Sequence, residues 1–445
     1  MKFRAMDLRP FAFGLALLAY LAFIAACGNN SESPSASNPT VKLLVFSDPH
    51  YYDPALGTTG AAFDDYVAHD RKLIAESDAV MRALVSAVSA ENPDVVLVAG
   101  DLTKDGELVS HQSAANLLLQ MKTQGRKVFV VPGNHDIQNA AASSYSGDTA
   151  TPIASIAPAD FAAIYKDLGF GDAIARDTDS LSYVAELVPG LWLLALDSCI
   201  YGPGSGDSQV AGRFRDTTLA WIKAQLAKAR ASKVRVVGMM HHGVVEHFTN
   251  QSLVFPDYLV NDRDAVAAAF SDGGMGVVFT GHFHANDISR AAPSGSSKSI
   301  YDIETGSAVT YPCPYRVVDV AGDVLAIATR HITSIDYDLQ GATDFQSYAH
   351  DKLLLGLDGL VAGLISAPPY SIAADESQQI SPWLAEGLVA HYAGDEVMPA
   401  EAQANVQTLR ATPDVAVQLA GTMLASVWTD LPPPDNDLTL DLATR

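Results

Sequence analysis
An α/β protein with a mixed sheet and a helical C-terminal region is predicted by three features of the chain. Short apolar runs alternate with stretches of helical periodicity between residues 41 and 330. Five of those runs stop abruptly on Asp, Asn or His, at the strand ends where open α/β sheets keep their sites. From about Gln346 the strand-like runs give way to Ala/Leu-rich helical stretches. The 445 residues, 48% hydrophobic and 18% charged, suffice for a large core and more than one domain.

Taken in order, the chain opens with Lys2, Arg4 and Arg9, then an apolar run over 11–26, then Cys27-Gly28-Asn29-Asn30. The run is short and ends in small residues, which fits an export signal over 1–26 rather than a spanning helix. Ile24-Ala25-Ala26-Cys27 resembles the lipobox of bacterial lipoproteins. That likeness implies lipidation of Cys27, a polar tether over 27–40, and a protein lipid-anchored to a bacterial membrane, facing the periplasm or cell surface. A plain signal peptide that contains a Cys is the alternative.

Strand 41–46 follows, then a loop rich in Gly, Tyr and Asp. A helix over about 70–90 carries Leu73, Ile74, Met81, Leu84, Val85 and Val88 at helical spacing. The central strand, Val95-Val96-Leu97-Val98-Ala99, is stopped by Gly100 and tipped with Asp101. A helix over 107–124 has Gly125 as C-cap, and strand 128–131 runs into Pro132-Gly133-Asn134-His135-Asp136. Residues 137–157 lack periodicity and read as a long loop beside the site. Next come a short helix at 161–168, paired strands at 181–186 and 191–196, and a Gly-rich loop at 201–212. Helix 217–231, strand 234–240, helix 262–270 and strand 276–280 continue the alternation. Strands 300–304, 315–320 and 324–329 have no helices between them, as in an antiparallel end to the sheet. Helices at 353–364, 383–392, 400–409 and 415–427 carry no cluster of ligand residues, and Pro432-Pro433-Pro434 opens an extended tail.

A bare carboxylate at the tip of a hydrophobic strand is costly unless something positive sits on it. Asp48 and His50 stand two apart after the first strand, and Asp101 has two oxygens with which to bridge two ions. Asn134 offers a neutral carbonyl, while His241, His282 and His284 offer imidazole nitrogens. With no thiolate among them the donors suit Mn, Fe or Zn. Two divalent ions, two carboxylates and a bridging hydroxide leave a residual positive charge that attracts a phosphoryl group. Two ions about 3.5–4 Å apart also activate water and stabilise in-line displacement at phosphorus. The net charge of −23 repels polyanions, so a nucleic-acid polymer is disfavoured and a small phosphoester substrate favoured.

In their order, Asp48-x-His50, Gly100-Asp101, Gly133-Asn134-His135-Asp136, His241 and Gly281-His282-x-His284 resemble the calcineurin-like metallophosphoesterase superfamily over about 41–330. The resemblance implies a two-sheet mixed β-sandwich flanked by helices, with a catalytic domain over 41–335 and a helical C-terminal appendage over 346–445. It implies a dinuclear centre in which one ion takes Asp48, His50, Asp101 and His284, and the other Asp101, Asn134, His241 and His282. It also implies that His135 contacts the phosphate and protonates the leaving group, and that Asp136 orients His135. Gly243 departs from the Pro that many relatives carry after the paired His, a change of turn rather than of ligand.

Other residues carry two readings each. His242 reads equally as structural and as a substrate contact, and His111 and His247 as structural or surface. Tyr51, Tyr52, Tyr311 and Arg316 read as pocket wall or as packing, and Asp64-Asp65 as a solvated loop. Cys199 and Cys313 either pair in an oxidising compartment or stay as free thiols. Three functions fit the pattern. The first is a hydrolase of small extracytoplasmic phosphomono- or phosphodiesters of nucleotide, cyclic nucleotide or lipid head-group type. The second is a nuclease on the same centre, which wants a basic groove that this composition does not supply. The third is a non-catalytic metal-binding interaction module, against which the complete ligand set argues. Mass spectrometry of the membrane fraction is expected to find a mature N-terminus at acylated Cys27; an unacylated N-terminus elsewhere refutes the anchor.

Overall fold
The strands divide into two sheets because two sets of apolar faces turn toward each other. A computed structural model of the protein describes residues 39–201, 209–296, 298–368 and 370–441. The predicted signal, Cys27, nearly all of the tether and most of the Gly-rich loop at 201–212 lie outside the described residues. β1 (Thr40–Phe46) leads through α1 (Ala61–Ala68) and α2 (Ser77–Glu91) to β2 (Val95–Val98), and α3 (Leu108–Met121) leads to β3 (Lys127–Val130). A hairpin of β4 (Ser143–Ser146) and β5 (Thr149–Pro152), helix α4 (Pro158–Ile164) and strands β6 (Ala173–Arg176), β7 (Tyr183–Val188) and β8 (Leu191–Ala195) follow. Then come α5 (Asp216–Ala231), β9 (Arg235–Met239), α6 (Gln251–Val254), α7 (Arg263–Gly273), β10 (Val277–Thr280), β11 (Ile288–Ala291) and β12 (Ile300–Glu304). The chain returns through β13 (Pro314–Ala321) and β14 (Val324–His331) to helices α8 (Phe345–Ser366), α9 (Ala374–Ala393), α10 (Ala400–Ala411) and α11 (Val415–Val427), and then to β15 (Asp437–Asp441).

The first sheet has the order β15-β14-β13-β1-β2-β3 and the second β11-β12-β10-β9-β8-β7-β6. One core joins Val45, Leu97 and Phe129 of the first sheet to Leu193, Val237 and Phe279 of the second, so the sheets pack face to face. Every residue of β2 is buried, as in a strand covered on both sides, and Leu84 and Val88 of α2 and Leu118 of α3 join the same core. Behind the second sheet, Val236 and Val278 meet Ile222 and Leu226 of α5 and Phe270 of α7. A further core among the C-terminal helices, with Leu353, Leu384, Leu388 and Leu424, also takes in Phe248 and Phe283 from the α/β half. Among the described residues no helix is long and apolar enough to cross a membrane.

Four expectations are corrected. The helix expected from residue 70 starts at Ser77, because the Leu73 amide bonds to Val309 O (2.8 Å) and the Lys72 amide to Asp70 Oδ1 (2.9 Å). Those bonds take amides that a longer helix needs. The long loop at 137–157 contains the β4–β5 hairpin, anchored by Tyr145 against Tyr52 and Phe63. Strand β12 runs parallel to β10 in the second sheet, so the antiparallel end consists of β13 and β14 and belongs to the first. The expected extended tail holds strand β15, which pairs antiparallel with β14 and buries Leu440 at 2% exposure. Cys199 and Cys313 are free thiols, Cys199 Sγ donating to Pro132 O. Leu440→Ala is expected to destabilise the protein by roughly 2–5 kcal/mol in urea unfolding, the cost of emptying a core site; a change below about 0.5 kcal/mol, typical of an exposed position, would return the tail to solvent.

Candidate metal centre
Both sheets deliver their polar strand ends to one place. β1 runs into Asp48 and His50, β2 into Asp101, β3 into Asn134 and His135, β9 into His241, and β10 into His282 and His284. The turns that do this are strained. Asp48, His50, Asp101, His282 and His284 all have φ between 37° and 79°, a left-handed region in which non-glycine residues cost of order 1–3 kcal/mol each. Glycine gives the room: a Cβ on Gly100 would stand 2.6 Å from His241 Nδ1, and one on Gly281 would collide with Ser47 Oγ and Asp48 Oδ2.

Two donor groups result, joined by one carboxylate. Asp48, His50 and His284 bring donor atoms within 4.8 Å of one another, as do Asp101, His241 and His282. In the first group His284 Nε2 lies 3.4 Å from Asp48 Oδ1 and 3.2 Å from His50 Nε2. In the second, His241 Nε2 lies 3.1 Å from Asn134 Oδ1. Asp101 Oδ2 faces both, 3.6 Å from His50 Nε2 and 3.3 Å from His241 Nε2. All seven expected ligands therefore converge, with Asp101 between the groups.

Three of the rings are aimed by what their other nitrogen touches. His241 Nδ1 bonds to Ala99 O (2.9 Å), His284 Nδ1 to Thr310 Oγ1 (3.3 Å) and His282 Nε2 to Asp257 O (3.3 Å). Asp48 Oδ2 accepts the His282 amide and Asp101 Oδ1 the His135 amide. Asp48 Oδ1, pointed into the first group, is buried and has no hydrogen-bond partner. Burial, with Lys72, holds His50 well below the usual imidazole range; burial also lowers His282, and pulls His284 down to about 4. Burial opposes charge on Asp101, yet His241 and His135 hold it well below the usual carboxylate range. Neutral imidazoles and ionised carboxylates are the forms that bind metal, so His241, which burial lowers but Asp101 and Asp48 push up to about 10, gives up a proton when it binds. An orphaned buried oxygen, facing ring nitrogens and an all N/O donor set fit two first-row divalent ions.

His135 is the open member, its side chain 29% exposed. Its Nδ1 lies 2.8 Å from Lys104 O and 3.0 Å from Asp105 Oδ1, which leaves Nε2 for the site. The expectation that Asp136 orients His135 is thus corrected in favour of Asp105. The Asp136 carboxylate instead accepts from the amides of Leu102, Thr103 and Gly133 and from Thr103 Oγ1, tying the turn after β2 to the turn after β3. Asp105 in turn bonds Lys104 Nζ and Asn139 Nδ2. Its only sequence signal is its place four residues after Asp101, before a glycine with φ 78°.

Sequence reading also passed over two cations. Lys72, 8% exposed, depresses His50 and His284 through its charge, after burial, and Arg71 acts likewise on His284. Arg71 bonds the Tyr392 side chain, and Gly356 of α8 packs against its backbone. His242 is structural, with Nδ1 on Ser198 Oγ (2.8 Å) and Nε2 on Val210 O (2.9 Å). His111 is buried against Tyr165 and Asp136 O, His247 against Asp287 and Glu304. Tyr51, Tyr52 and Arg316 are buried packing residues, Tyr311 stacks edge-on with His350, and Asp64-Asp65 is solvated but lies in helix α1 rather than in a loop. A surface cleft lined by Asp78, Arg82, Tyr315, His331 and Asp336 holds none of the ligand residues.

A sandwich whose two sheets converge on paired, carboxylate-bridged N/O donor groups defines a dinuclear metallohydrolase type of centre. The chain belongs to the calcineurin-like phosphoesterase family, whose profile matches residues 41–286, more than half of its length. Membership implies two metal ions at these donors. A probable cyclic nucleotide phosphodiesterase of Vesicomyosocius okutanii is 32% identical over 66 residues, 15% of this chain, and the match spans only 27% of that protein. Among solved structures, a dimetal phosphatase from Danio rerio aligns with TM-score 0.47 and 16% identity, covering 66% of this chain and 97% of its own. A purple acid phosphatase from yellow lupin seeds aligns with TM-score 0.40 and 10% identity, covering 67% and 52%. Elemental analysis is expected to show Asp101→Asn losing two ions relative to wild type, and Asn134→Ala mainly weakening one; full retention in Asp101→Asn would refute the shared-ligand assignment.

Proposed function
We propose that the chain is a hydrolase of small phosphomono- or phosphodiesters, working outside the cytoplasm and anchored by lipid on Cys27. The observation that carries this reading is Asp101 Oδ2 facing both donor groups with His135 half-open beside them. Two bound ions, whether Mn, Fe or Zn, supply an activated nucleophile and neutralise phosphoryl charge. The protein's own groups do the rest. Asp105 and Lys104 O hold His135 Nδ1–H, so Nε2 is the atom that carries a proton to the leaving oxygen. Arg71 and Lys72, the latter paired with Asp70, bring positive charge to the histidines of the first donor group. The short match to a probable cyclic nucleotide phosphodiesterase supports including cyclic nucleotides among the substrates. The net charge of −23 weighs against a nuclease, and the complete donor set against a non-catalytic module.

A panel of nucleotide, cyclic nucleotide and lipid head-group esters, with Mn, Fe or Zn restored, tests the activity. Within it, His135→Ala is expected to keep both ions yet lose about 10²–10⁴-fold in kcat/KM on alkyl esters, and far less on nitrophenyl esters whose phenolate departs unaided. Asp105→Asn is expected to follow the same pattern more weakly. Equal losses on both ester types would instead assign His135 to charge stabilisation.

A further inference from the structure
A second cluster of buried donors lies where the C-terminal helices meet the second sheet. Asp287 precedes β11, His391 sits in the last turn of α9, and Glu396 follows that helix, all three nine-tenths buried or more. Their donor atoms lie within 4.8 Å of one another. Asp287 Oδ1 is satisfied by His247 Nδ1 (2.6 Å) and Ser289 Oγ (3.0 Å). Asp287 Oδ2 is not: it is buried, has no hydrogen-bond partner, and points inward to 3.9 Å from His391 Nδ1. Glu396 Oε1 meets the same nitrogen, while Glu396 Oε2 is buried without a partner. Asp435 Oδ1, bonded to the Ile288 amide, brings the acidic group of Asp395, Asp430 and Asp435 alongside, and Asp430 Oδ1 too is buried and unpartnered.

Arg316 lends its charge to Asp287 and Asp435, but among the described residues no guanidinium bonds the orphaned oxygens. Arg316, fully buried nearby, directs its donors to the carbonyl oxygens of Asp287, Glu304 and Asp435 and to Thr329 Oγ1. His247 is shared between Asp287 and Glu304. Carboxylates in such surroundings need a cation or a proton. We propose that Asp287, His391 and Glu396 bind a third divalent cation, separate from the dinuclear centre, that fastens the C-terminal helices to the second sheet. Two carboxylates and one imidazole suit Mn²⁺ or Zn²⁺ better than the all-oxygen surroundings that Ca²⁺ takes. Full burial makes the site structural, and none of its members belongs to the dinuclear centre.

The test is elemental analysis of the full chain grown with Mn²⁺ or Zn²⁺ and dialysed against buffer. Wild type is expected to hold three ions, Glu396→Gln two, Asp101→Asn one, and the double variant none. Added MnCl₂ or ZnCl₂ is expected to raise the Tm of Asp101→Asn but not of the double variant. The kcat of Glu396→Gln should stay within about twofold of wild type. An ion-free Asp101→Asn chain whose Tm ignores both salts overturns the proposal. So does Glu396→Gln with the full wild-type complement. If Glu396→Gln fails to fold, the Asp101→Asn chain alone decides. The Asp101→Asn arm is read once that chain is shown to have lost the dinuclear pair, whereas the Glu396→Gln arm leaves that centre intact and tests the third site by itself.

Discussion
A carboxylate held in the seam between two sheets sets the terms for the rest of the structure. Asp101 is 1% exposed, and burial alone would push a proton onto it. Keeping such a group charged in a dry interior costs several kcal/mol unless opposite charge and hydrogen bonds gather round it. The His135 amide, His50 and His241 do so from three different strand ends, drawn from both sheets. That need explains why five strands stop at one point and why the ligand turns accept left-handed backbone. It also explains the Asp136 carboxylate, whose four hydrogen bonds lock two of those turns together.

The C-terminal helices are part of the same construction. Phe283, between the two ligand histidines of its motif, lies against His391 and Tyr392 of α9 and against Tyr258, whose ring also covers His282. Tyr392 and Gly356 hold Arg71 in place. The helices thus pack on the turn that carries His282 and His284 and against Arg71.

The convergence of the candidate ligands was legible because they sit in short local patterns at the ends of unmistakable strands. A strand end fixes where a side chain goes within a residue or two, so Asp48, His50, Asp101, Asn134, His241, His282 and His284 fell where expected. Adjacency misled for Asp136: next to His135 in sequence, it turns back to the β2 and β3 turns, while Asp105 arrives from another loop. Arg71 and Lys72 were hidden inside an apparent helix whose first turns are undone by a local bond to Asp70 and a long-range bond to Val309. Strand β15 lies beyond a proline run, and its pairing with β14 is a long-range contact that no local periodicity encodes. The Asp287, His391 and Glu396 cluster has no spacing at all to announce it.

The placement of β15 bears on how the protein is made. The first sheet carries Asp48, Asp101 and Asn134, yet its outer strand emerges only after the whole helical region has been synthesised. Until then β14 presents an open edge, and Arg316 lacks the Asp435 carbonyl that it holds in the finished protein. Assembly is therefore vectorial and late, closing through a contact of large sequence separation, a step that is intrinsically slow. A nascent or truncated chain exposes a pairing-competent strand, so the hazard in biogenesis is edge-to-edge aggregation, and the last strand is what ends it.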